Sequence, residues 1–227
     1  MQRIADGVYW LEAGRYANAY LLEGNLGLTL VDSGPPGRTE ALIQEIKGAG
    51  FRISDVHQLL LTHAHAGHIG GAARLLRLRR MKVFAHPAEI AAIQGKEPLP
   101  RLPGRWGRLK RAWQGLWSRP EPVEALSPVR AGDSLKFSAR WQVLHTPGHT
   151  PGSLSLYDPL RGILICGDAL IHCGGRLRSG ALDPGAVDAA RSLERIASLY
   201  CETLCCGHGP VLRENASEAI RGLAHPA

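Results

Sequence analysis

Leu60-Leu61-Thr62-His63-Ala64-His65-Ala66-Gly67-His68-Ile69-Gly70-Gly71 places three histidines within six residues. The apolar run Gln58 to Leu61 predicts a short buried strand that delivers Thr62 and His63 to its end, and a helical pattern resumes over Ile69 to Leu78. At such a strand-to-helix turn, imidazoles can converge without distorting regular structure. Neutral imidazole is the commonest protein ligand for metals and suits zinc. The small neighbours Ala64, Ala66 and Gly67 let the backbone curl around an ion.

Three further candidate ligands each follow a predicted strand and sit beside glycine, which permits tight turns. They are His149 in Thr146-Pro147-Gly148-His149-Thr150-Pro151-Gly152-Ser153, Asp168 in Cys166-Gly167-Asp168-Ala169, and His208 in Cys206-Gly207-His208-Gly209-Pro210. The strands ahead of them are read at Trp141 to His145, Ser153 to Tyr157, Gly162 to Cys166 and Thr203 to Cys206. Strands are also read at Val8 to Leu11, Asn18 to Leu22, Leu26 to Val31 and Lys82 to Ala85. Helical spacing covers Arg38 to Lys47, Ala186 to Leu199 and Glu214 to Leu223. Strands alternating with helices in both halves predict an α/β sandwich with helices outside, built as one domain over 1–227.

The stretch at about 94–128 breaks this rhythm with six prolines, many arginines, and Trp106, Trp113 and Trp117. Trp106, Leu109, Trp113, Leu116 and Trp117 fall at helical spacing. The segment is either an insertion packed on the body by its tryptophans or a lid over a cleft, since long excursions from compact domains are often functional.

The order T-H-x-H-x-x-H-x-G-G, T-P-G-H-T-P-G-S, G-D-A and G-H-G-P resembles the metallo-β-lactamase superfamily, as does Leu30-Val31-Asp32-Ser33-Gly34. The resemblance runs from about residue 8 to about residue 212. It implies an αββα sandwich with metal at one edge. It further implies that His63, His65 and His149 bind a first ion, that Asp168 bridges, and that His68 and His208 serve a second. Asp32 either supports the site through loop hydrogen bonds or simply forms a turn. The family motif is H-x-H-x-D-H, and here Gly67 stands at the aspartate position. That loss implies a well-held first ion and a weakened second site, with water or an exogenous anion in place of the carboxylate. A mononuclear enzyme and a loss of activity are the alternatives.

The chemistry implied is hydrolysis by metal-activated water, with Asp168 and His208 as catalytic residues and one or two zinc ions, or iron or manganese in their place. Only 19 residues follow His208, so no glutathione-binding helical domain is expected. The chain is too short for the extra domain of the nuclease branches, and His65 stands where the flavodiiron branch has glutamate. The expected class is a small glyoxalase II-like hydrolase of thioesters, lactones or related esters. A mononuclear iron dioxygenase resembling the persulfide dioxygenases, or a non-catalytic nucleic-acid-binding member, is the alternative.

Composition bounds these readings without choosing among them. Hydrophobic residues make up 44% and charged residues 21%, as in ordinary globular proteins. No apolar run is long enough for a membrane span, and no secretory signal opens the chain. Five cysteines without a C-x-x-C pair suit a reduced, cytoplasmic protein. The net charge of +7 is mostly scattered arginine, densest at Arg74 to Lys82 and Arg101 to Arg119, and reads as a solvated face rather than a nucleic-acid surface. The expected partner is a small-molecule substrate, for a monomer or homodimer. His145 and His172 flank the ligand loops and could support them; Tyr16 and Tyr20 lie near the N-terminal loop.

Overall fold

A computed structural model describes residues 1–12, 16–100, 119–133, 140–183 and 185–226. The three tryptophans of the 94–128 segment and their expected helix lie outside the described residues. The chain divides into two compact units, Met1–Pro128 and Val129–Ala227.

The first unit carries a sheet of β1 (Gln2–Ala5), β2 (Val8–Leu11), β3 (Ala19–Gly24), β4 (Gly27–Val31), β5 (Val56–Leu60), β6 (Lys82–Ala85) and β7 (Ser127–Pro128), in that order. Pairing is antiparallel from β1 to β4 and parallel from β4 to β7. Because β4 and β5 run parallel, both deliver their following loops, Asp32-Ser33 and Thr62-His63, to the same sheet edge. The helix α1 (Thr39–Gly48) buries Leu42, Ile43 and Ile46 against Leu30, Leu59 and Leu61 in a shared apolar core. That burial, at about 25 cal/mol per Å² of apolar surface, is what holds the loops at a fixed edge.

In the second unit the sheet order is β13 (Thr203–Cys206), β10 (Ile163–Gly167), β9 (Leu154–Asp158), β8 (Gln142–His145). β13 lies parallel to β10, and β10 and β8 are both antiparallel to β9. Hence β8, β10 and β13 all point the same way, and their C-terminal ends release His149, Asp168 and His208 at one edge. β9 and β10 are buried along their whole length. The amphipathic helices α5 (Val187–Ala197) and α6 (Ala216–Ala224) place Ile196, Ala216 and Ile220 in the core with Leu164 and Leu204.

Several elements depart from the expected pattern. The helix read over Ile69 to Leu78 is two pieces, α2 (Ala66–Ile69) and α3 (Ala72–Leu78). The chain breaks at Gly70-Gly71 because the Gly71 N–H leaves the helix ladder for the Gly34 carbonyl and Ser33 Oγ. The strand β1, the helix α4 (Pro87–Ile93) and the hairpin of β11 (Leu170–Cys173) with β12 (Arg176–Ser179) are additions. Among the described residues, no helix is long and apolar enough to cross a membrane.

Candidate metal centre

In the first unit, the histidine turn is stapled to the loop after β4. Asp32 takes a left-handed backbone (φ 60°), which aspartate tolerates better than most residues. Its carboxylate accepts from Thr62 N–H (2.8 Å), Thr62 Oγ1 (2.8 Å) and His68 Nδ1 (2.7 Å). Ser33 adds two bonds to the His68 carbonyl, from its N–H (2.7 Å) and its hydroxyl (2.8 Å). Asp32 is therefore both turn former and site support. The glycines after His68 explain themselves sterically. A Cβ on Gly70 would lie 2.2 Å from the Pro36 nitrogen, and one on Gly71 would lie 2.5 Å from the Ser33 carbonyl oxygen. Only glycine lets the two loops touch.

These bonds fix which nitrogen of each ring holds the proton. His68 Nδ1–H donates to a carboxylate that can only accept, so its Nε2 bears the lone pair. Thr62 spends its single hydroxyl proton on Asp32, so at 3.0 Å its oxygen accepts from His63 Nδ1–H, and His63 Nε2 bears the lone pair. His65 differs: its Nε2–H donates to the Pro100 carbonyl at 3.1 Å, leaving the lone pair on Nδ1. The ligand nitrogens of His63 and His65 lie within 4.8 Å of each other. The His63 ring centroid is 4.9 Å from that of His65 and 4.2 Å from that of His68. The three histidines of the turn lie side by side, as their close spacing in the sequence predicts.

The second unit repeats the device. His149 Nδ1–H donates to the Gly180 carbonyl at 2.6 Å, which aims the Nε2 lone pair at Asp168 Oδ2, 3.2 Å away. His208 Nε2 lies 3.1 Å from the same oxygen. Asp168 is 4% exposed and His208 32% exposed, so the cluster runs from the interior to the surface. A neutral imidazole lone pair and a carboxylate oxygen repel unless a proton or cation lies between them. Two ligands at about 2.0–2.2 Å from one tetrahedral ion are about 3.3–3.6 Å apart, close to the separations seen here. The donor set and its spacing thus fit a divalent ion.

Supporting residues hold these loops from behind. His145 Nε2 bonds the Pro151 carbonyl and His172 Nδ1 the Pro210 carbonyl, each at 2.8 Å, bracketing the loops of His149 and His208. Cys166, Cys205 and Cys206 are buried in the strands ahead of Asp168 and His208. Burial pushes the Cys205 thiol well up, and the hydrogen bond with Cys166, followed by burial, does the same for Cys206, so both stay neutral thiols that pack. Of the tyrosines, Tyr16 is exposed and Tyr20 is buried beside Asn18. One participant escaped the reading of the sequence. Glu89 on α4, 1% exposed, accepts from the Ala64 N–H between His63 and His65 at 2.8 Å. Its only signal is a lone acid in the apolar run Pro87–Ile93.

A family model described as the metallo-beta-lactamase superfamily matches residues 13–208. The chain is similar to a probable metallo-hydrolase, YflN, of Bacillus subtilis, with 29% identity covering 97% of this chain and 91% of that one. It is 30% identical to a hydroxyacylglutathione hydrolase of Aeromonas hydrophila, over 76% of this chain and 54% of the relative, so it spans about half of that enzyme's length. Among solved structures, TTHA1623 in a di-iron-bound form is similar with a TM-score of 0.65 and 31% identity, covering 87% of this chain and 89% of the other.

Proposed function

Since the chain belongs to the metallo-β-lactamase superfamily, we propose that it is a metal-dependent hydrolase of a small thioester, lactone or related ester. The observation that carries this reading is the tautomer pattern. In each unit, fixed acceptors take one ring proton and leave a lone pair on the nitrogen that faces the other donors. His63, His65 and His149 would hold a first ion with Asp168, and Asp168, His68 and His208 a second. A bound divalent ion supplies a Lewis acid and lowers the pKa of water to roughly 7.

The chain's own residues do the rest. Asp168, whose Oδ2 lies 3.2 Å from His149 Nε2 and 3.1 Å from His208 Nε2, would position the ions and the attacking water. His208, the most exposed of the second unit's three donors, meets the substrate first. Gly67 leaves the second site one carboxylate short, and the fold does not demand the loss. A Cβ there would meet only Ala17 Cβ, at 3.4 Å, among the described residues. A thioester substrate is supported by the named activity of the hydroxyacylglutathione hydrolase relative. Zinc is the first choice of metal, with iron the alternative that TTHA1623 supports.

The test is a hydrolysis panel of thioesters, lactones, β-lactams and phosphodiesters, with zinc, iron or manganese supplied and His63→Ala as control. Turnover of an ester or thioester that disappears in His63→Ala is expected. Turnover of phosphodiesters alone, or activity indifferent to chelation and to His63→Ala, overturns the proposal. Oxygen consumption by the iron-loaded protein points instead to the dioxygenase reading.

A further inference from the structure

We propose that Glu89 is a positioning residue for the first metal ion, acting through the Ala64 peptide and through its buried negative charge; this rests on the ligand set proposed above. The turn Thr62-His63-Ala64-His65 has its side chains anchored from several directions. His63 leans on Thr62, and Thr62 on Asp32. His65 leans on the Pro100 carbonyl. The peptide between the two histidines has a different anchor. Its Ala64 N–H points into the protein and donates to Glu89 Oε2 at 2.8 Å, from a residue that is itself wholly buried. This peptide joins His63 to Ala64, so its orientation fixes the direction in which the chain runs from His63 to His65 and with it the angle between the two side chains.

The choice of glutamate is informative. Burying a carboxylate costs several kcal/mol unless it is well paired, and a backbone N–H could be satisfied as well by a neutral glutamine or a water. Glu89 sits in the first turn of α4, entered through Pro87 and capped by His86 Nδ1 accepting from the Ala88 N–H. The helix dipole offsets part of its charge. The carboxylate accepts from the Ala64 N–H within the turn that carries His63 and His65, so it polarises that peptide and favours a cation at the nitrogens the turn presents. A carboxylate that supports ligands from behind typically changes metal affinity ten- to hundredfold.

The test titrates the metal-free, full-length protein with zinc against a competing chelator, for the unmodified chain, Glu89→Gln, Glu89→Asp and His63→Ala. Glutamine keeps the shape and an acceptor while removing the charge. Glu89→Gln is expected to unfold thermally within a few degrees of the unmodified protein, yet to bind the first zinc equivalent about tenfold or more weakly. The visible ligand-field spectrum of the cobalt(II)-loaded variant should also shift, which a packing role alone would not cause. Zinc affinity within threefold of the unmodified value and an unchanged cobalt spectrum overturn the proposal. Should Glu89→Gln not fold, Glu89→Asp decides, since its shorter side chain keeps the charge but cannot span to the Ala64 N–H. Unaltered zinc affinity and spectrum in Glu89→Asp overturn positioning through the peptide. If His63→Ala binds zinc as tightly as the unmodified chain, the ligand set itself has failed, whatever Glu89 does.

Discussion

Replacing Asp32 tests how the histidine turn is held. Asp32→Ala removes the acceptor for Thr62 N–H, Thr62 Oγ1–H and His68 Nδ1–H, all in residues 1–2% exposed. The threonine hydroxyl can rotate to another acceptor, which leaves two stranded N–H donors at about 1–3 kcal/mol each. Alanine at φ 60° adds about 1–2 kcal/mol that aspartate largely avoids. Relief from burying the carboxylate offsets part of this, so the expected loss is about 3–6 kcal/mol. Asp32→Asn separates the contributions. Asparagine tolerates the same backbone and keeps one acceptor for Thr62 N–H, so it should cost only about 1–2 kcal/mol. Its amide would, however, donate to His68 Nδ1 and drive that ring's proton onto Nε2, the nitrogen offered to metal. The assay is denaturant unfolding of the chelator-treated proteins, with midpoints compared at constant m. An alanine variant losing less than about 1 kcal/mol, or an asparagine variant as unstable as alanine, would refute the staple as described.

Other outcomes follow from neighbouring features. Gly67→Asp should fold normally, since its Cβ meets only Ala17, and should tighten the second metal equivalent at least about tenfold in a chelator-competition titration; unchanged stoichiometry and affinity count against a second site short of one ligand. Gly71→Ala forces a Cβ to 2.5 Å from the Ser33 carbonyl and should cost about 1–3 kcal/mol in thermal unfolding, with Gly48→Ala, where nothing lies within 4 Å, as the neutral control. Burial pushes the Cys201 thiol up to about 12 and raises Cys205, and the hydrogen bond with Cys166 together with burial raises Cys206, so all three remain protonated near pH 8. Mass spectrometry after brief alkylation should therefore find label on exposed Cys173 and none on those three. Fast labelling of Cys206 would contradict the packing assigned to the second sheet.

The candidate donors were legible from local signals: His63, His65 and His68 fall within six residues after an apolar strand, and His149, Asp168 and His208 each follow a strand and sit beside glycine. The strands themselves read well for the same reason: Lys82–Ala85 and Thr203–Cys206 match to the residue. What the sequence concealed depends on contacts between distant segments. The run Ile69 to Leu78 keeps helical spacing, yet its ladder is broken at Gly70-Gly71 by Ser33 and Gly34, some 37 residues earlier. Glu89 looks like any helix-surface acid until α4 is seen to press it against Ala64. The β11–β12 hairpin has no alternating pattern strong enough to mark it, because its partners are chiefly each other. The sequence reads Asp32 as either a support through loop hydrogen bonds or a turn former, but nothing local in the chain names His68, 36 residues on, as its partner.

The staple between the two loops of the first unit also bears on how the protein matures. Asp32, Ser33 and Thr62 hold His63 and His68 with hydrogen bonds made wholly of protein atoms. In small zinc domains the ion itself supplies the folding free energy, so synthesis and metal supply must coincide. Here the turn is held without an ion, so the proposed metal would be loaded onto a turn that is already formed. On the proposed function, such a protein would take its metal from local availability rather than select it during folding.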